Sequence, residues 1–235
     1  MRAVAVGQAE LKLFWRNRTA LFNSLVLPLL IVPLLLSVDA DGVPLVIGLI
    51  GFVLVMAVYY NLVTTFVARR EELVLKRLRV GELTDPEILL GASLPSVVVA
   101  LGQMALFAVI VGVMTGVSLP SRPWFLLVGI VGGVIVFVLL AAASSAFTRT
   151  VEMAQVTSLP VLMACVLGSG LFIPLSVMPE GVASVLRLLP LTPVLDLLRA
   201  GWHGGPVLQP LIILAAWIAL GTYAVRRWFR WDPRR

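Results

Sequence analysis

PWFLLVGIVGGVIVFVLLAAASSAFT, residues 123–148, runs for 26 residues without a charged side chain. A helix rises 1.5 Å per residue, so this stretch crosses about 30 Å of hydrocarbon. Helix is the only form that fits, because an unpaired backbone group costs several kcal/mol in lipid. The alternation of a barrel strand is absent. Gly129, Gly132 and Gly133 lie within it and let a neighbouring helix approach closely.

Five more charge-free windows surround this one: 19–38, 42–68, 88–121, 153–179 and 204–225. They place membrane spans at about 23–38, 43–67, 88–117, 124–147, 153–173 and 207–225. The expected fold is an all-α integral membrane protein, one domain over residues 1–235, with six transmembrane helices. An N-terminal interfacial helix and short re-entrant helices between spans five and six complete it.

Composition agrees. The chain has 235 residues, 60% hydrophobic and 13% charged, with mean hydropathy +1.05. Soluble domains run about 45–50% apolar and about 25% charged. A two-domain soluble enzyme, a disulfide scaffold and a disordered tail protein are excluded. One cysteine, Cys165, and one histidine, His203, cannot build a histidine- or thiolate-rich zinc site.

The net charge of +6 is distributed, not diffuse. Fifteen Lys and Arg fall on one side of the six windows, and only Arg122, Arg187 and Arg199 on the other. Basic residues gather on cytoplasmic loops, so both termini are expected in the cytoplasm, at the cell membrane. This also removes nucleic acid as the reason for the basic balance. Arg16 and Arg18, then Leu25 to Leu36, then Val38-Asp39-Ala40 have the outline of a signal peptide. The long leading region with Glu10, Phe14 and Trp15 argues against cleavage.

Residues 8–22 read as a helix lying at the headgroups, with Leu11, Phe14 and Trp15 on its apolar face and Arg18 among its polar neighbours. Residues 68–87 form the largest cytoplasmic loop. Glu72 and Lys76 stand at i,i+4, and Leu75 and Leu78 at i,i+3 offer an apolar edge. Thr84 and Asp85 before Pro86 start the next helix. The turn at 148–152 is shorter and carries Arg149 and Glu152. Residues 174–205, broken by prolines and glycines, contain two pieces too short to span the bilayer. They form the expected outer region, with Phe172, Pro174 and Pro179 as a candidate gate.

No G-x-x-x-x-G-K-[ST] or H-E-x-x-H occurs. Asp196 and Arg199 at i,i+3 read as a helix-surface pair rather than part of a catalytic triad with His203. No catalytic residue and no metal site is assigned. The six windows hold no ionisable side chain that would mark a proton path. Asn61, Thr65, Gln103 and the adaptable Met163 are the candidate substrate path.

The stretch from Arg70 to Gly91 resembles the loop after the second span of type-2 ABC exporter permeases, the ABC-2 family. Leu75, Lys76, Arg77, Leu78 and Arg79 match that family's basic Leu-Lys-Arg-Leu-Arg core. The family's small Gly-Thr before the core is Leu73-Val74 here. Residues 172–179, Leu189-Pro190 and 195–199 are similar to the family's outer re-entrant segment. Trp228 to Asp232 resembles its basic C-terminal end.

The resemblance implies a permease subunit that works as a dimer, with a second copy or a related permease, in membrane lipid. Two separate ATPase subunits bind ATP and Mg; this chain binds no cofactor. Residues 8–22 become a connecting helix. Residues 71–83 become a coupling helix docked on the ATPase through Glu72, Leu75, Lys76, Arg77, Leu78 and Arg79. Arg149 and Glu152 give a second contact. The expected function is export of a hydrophobic or amphipathic compound (drug, natural product or lipid) by alternating access. The alternatives are a membrane enzyme acting on lipids and a non-transporting anchor subunit.

Overall fold

The computed structural model describes residues 42–73, 84–171 and 175–229, and they form helices with no strand among them. The expected interfacial helix at 8–22 and first span at 23–38 lie outside the described residues. So does most of the 71–83 loop.

Among the described residues, five helices are long and apolar enough to cross a membrane. They are α1 (Gly42–Glu71), α2 (Asp85–Thr115), α3 (Pro123–Phe147), α4 (Val151–Gly168) and α7 (Leu208–Trp228). Two shorter helices, α5 (Glu180–Leu186) and α6 (Thr192–His203), stand between α4 and α7. A single 3₁₀ turn at Leu175–Val177 precedes them.

Local chemistry sets the helix ends. Thr84 and Glu87 form a capping box at the start of α2: Glu87 Oε2 accepts from Thr84 N–H at 2.9 Å and from Thr84 Oγ1 at 2.7 Å. Thr150 caps α4 by accepting from Met153 N–H. The fifth expected span, 153–173, is shorter than its apolar window. Its helix stops at Gly168, and Gly170 then turns the chain with a φ of 74° that a side chain would resist.

α1 is the hub, packing on α2, α3, α4 and α6. Its middle widens into a π-helical segment, Leu54–Tyr60. The apolar run gives no sequence sign of it. It carries the fully buried Tyr59, whose hydroxyl lies 3.1 Å from Ser144 Oγ on α3. The two polar groups satisfy each other inside an otherwise apolar contact.

α6 does not lie loose on the surface. Val194, Leu195, Leu197 and Leu198 are buried against α1, α3 and α7. Two glycines make room for it. A Cβ on Gly51 would stand 2.7 Å from Leu195 Cδ2. A Cβ on Gly133 would stand 2.9 Å from Leu54 Cδ1 and 3.2 Å from Val194 Cγ1. Close backbone approach is how small residues hold helices together without a hydrophobic drive. By contrast Val109, Leu127 and Ile212 point outward, exposed by 60% or more, as lipid- or partner-facing residues do.

Candidate functional site: two opposite ends of the bundle

At one end α1, α3 and α7 finish together. Phe66 meets Phe229 edge-on at 6.2 Å, and Phe147 packs on Trp228 at 5.9 Å. Arg70 is the centre of this end. It belongs to the run of loop charges in the sequence, yet only 1% of it is exposed. Its Nη1 donates to Ser145 O at 2.9 Å, and its Nη2 donates to Thr148 O. Ser145 lies in the last turn of α3 and Thr148 is its C-cap residue, where the helix dipole favours a cation; Ser145 O also accepts from Thr148 N–H at 3.2 Å. Thr148 continues the link, its hydroxyl lying 2.9 Å from Thr157 Oγ1 on α4. One guanidinium thus fastens the segment entering the 71–83 loop to the turn at 148–152.

The neighbouring residues expected to dock are more exposed. Arg149 and Glu152 face outward on that turn. Glu72 is engaged by Arg69 at 3.0 Å in an exposed pair. Its expected partner Lys76 lies outside the described residues, as do Leu75, Arg77, Leu78 and Arg79. The connecting-helix residues Leu11, Phe14, Trp15 and Arg18 do too.

Leu73 holds a surprise. Its φ is +60°, a left-handed conformation that a leucine adopts at a cost of about 1–2 kcal/mol. It follows the last turn of α1, where Glu72 N–H donates to Ala68 O and Leu73 N–H to Arg70 O. Glycine is the usual occupant of such a helix stop. The departure from Gly at this position therefore keeps the glycine-like backbone and carries its strain. Leu73→Gly is expected to raise stability by about 1 kcal/mol, read as a higher unfolding midpoint in detergent.

The candidate path residues are spread over three helices. Asn61 Nδ2 donates to Ser96 Oγ at 3.3 Å, joining α1 to α2. Thr65 Oγ1 donates to Asn61 O at 2.9 Å, within α1. Gln103 is buried on α2, and Met163 is exposed on α4. None of the four lines the cavity at the opposite end.

That cavity has a volume of about 720 Å³. It lies between the start of α1, the segment after α4, α6 and the start of α7. Val43, Ile47, Leu171 and Ile213 give it apolar walls; Arg187, Asp196, Arg199 and His203 give it polar ones. Arg199 is held in place, its Nη1 donating to Asp196 Oδ1 at 2.8 Å and its Nη2 to Gly170 O at 2.9 Å. The helix-surface pair expected at i,i+3 is present, and it occupies the one carboxylate of the supposed triad. Of the candidate gate, Pro179 is an exposed residue ahead of α5, while Phe172 and Pro174 lie outside the described residues.

A family model described as ABC-2 type transporter matches residues 2–202. The chain belongs to the ABC-2 type transporter family. It is a multi-pass membrane protein and a permease component of an ABC transporter. A search of curated proteins gave no match. The match runs from the residues before α1 into the last turn of α6, so it includes the Arg70 link and part of the cavity lining, while the lining residues from His203 to Ile213 lie beyond it.

Proposed function

We propose that this ABC-2 permease moves a hydrophobic or amphipathic compound out of the cytoplasm. Separate ATPase subunits, holding ATP and Mg, drive it, and a second permease copy or a related permease completes the pore. Arg70 is the observation that carries the reading. A buried cation ties the segment entering the docking loop to the second turn, and through α3 to the rest of the bundle. Motion imposed on either docking element is then passed to both. Residues 71–83 supply the main ATPase contact, with Glu72, Leu75, Lys76, Arg77, Leu78 and Arg79. Arg149 and Glu152 supply the smaller one. Residues 8–22 act as the connecting helix, and both termini face the cytoplasm.

The spans lack the buried carboxylates of a proton-coupled carrier, so the energy has to come from another chain. Coexpression with an ABC ATPase from the same source is the test. The two chains are expected to copurify and to hydrolyse ATP together. A permease that stays alone with every such ATPase would refute the proposal.

A further inference from the structure

We infer that the cavity at the end opposite Arg70 binds the acidic headgroup, phosphate or carboxylate, of a single-chain amphiphile. The inference deepens the proposed function by naming the chemistry of the compound, and it rests on that reading only for the direction of movement.

Three basic residues break the charge distribution. Fifteen Lys and Arg lie on one side of the windows, and only three lie on the other. Those three are far apart in sequence, yet the fold gathers them. Arg187 and Arg199 both line the cavity. Arg122 reaches its rim, where a Cβ on the lining Gly204 would stand 3.8 Å from Arg122 Nη1. His203, the only histidine of the chain, lines it too.

The cations differ in what they are free to do. Arg199 is committed to Asp196 and to Gly170 O. Arg187 has no ion pair among the described residues, and it is exposed. Among the described residues the lining therefore offers one guanidinium held by Asp196, one guanidinium without an ion pair and an imidazole, against a single carboxylate. A guanidinium fork matches the oxygens of a phosphate or carboxylate. The other walls, Val43, Ile47, Leu171 and Ile213, suit an alkyl chain. A ligand that satisfies both is acidic at one end and apolar at the other.

The full-length chain in a neutral detergent is titrated with dodecyl phosphate, and bound copies are counted by native mass spectrometry. Dodecanol and inorganic phosphate are the comparators. Dodecyl phosphate is expected to bind far more tightly than either. Arg187→Gln should weaken it about tenfold, the effect of losing one charge-assisted hydrogen bond. Arg187→Lys should keep most of the binding, and Arg226→Gln, at the other end, all of it. Inorganic phosphate binding as tightly as dodecyl phosphate would overturn the amphiphile. Unchanged binding in Arg187→Gln, or a loss in Arg226→Gln instead, would overturn the site. A chain that binds dodecyl phosphate but joins no ATPase would sink the proposed ATP-driven export and leave this inference standing.

Discussion

Arg70→Ala is expected to lower the stability of the purified chain by about 3 kcal/mol, as two hydrogen bonds from a charged group are lost. The residue is 1% exposed, so water does not take over freely at Ser145 O and Thr148 O. Thr148 O then loses its arginine donor, Ser145 O keeps only the Thr148 N–H at 3.2 Å, and the end of α3 loses the charge that opposes its dipole. Arg70→Lys should fall between the two. An ammonium keeps the charge but lacks the fork that reaches both carbonyls. Thermal unfolding in detergent gives the first number. The second readout separates a fastener from a mere stabiliser. At a temperature where Arg70→Lys is fully folded, ATP hydrolysis by the complex should persist while transport per ATP falls. Equal transport per ATP in wild type and Arg70→Lys would reduce Arg70 to a structural role.

The second large effect is expected in the docking loop itself. Changing Arg77 and Leu78 together to Asp puts two carboxylates into a basic-apolar surface, and removes one cation and one apolar contact. Buried at an interface, unpaired charges are costly enough to abolish docking. The double variant should reach the membrane in normal amounts, because neither position lies in a charge-free window. Transport should fall to background. Normal transport by the double variant would remove residues 71–83 from the ATPase contact.

What the sequence shows well is where helices lie. Charge-free windows locate α1, α2, α3, α4 and α7, because lipid forbids charges over a fixed length, but α4 stops at Gly168, well before its window ends. Thr84 and Pro86 predict the start of α2 because capping is local chemistry. What it conceals depends on the third dimension. Arg70 sits beside Arg69 in a charged tract, and nothing local tells which of the two is buried. The π segment at Leu54–Tyr60 lies in a run that is apolar all round, so no face marks the change of pitch. Leu73 hides a glycine's conformation under an apolar side chain. The cavity draws on Val43, Leu171, Arg187, His203 and Ile213, which meet only when α6 is seated between α1 and α7. Asn61, Thr65, Gln103 and Met163 stand out in sequence as polar or adaptable residues in apolar runs, but such residues also serve as helix-to-helix links, as Asn61 does with Ser96.

On the proposed function, this chain moves an amphiphile only when another chain hydrolyses ATP. The most direct measurement follows a labelled single-chain amphiphile across proteoliposomes that contain the permease and its ATPase. Movement is expected only with ATP and Mg present, and it should vanish in the Arg77→Asp, Leu78→Asp variant. Movement by the permease alone, without ATP, would refute ATP-driven export by this chain.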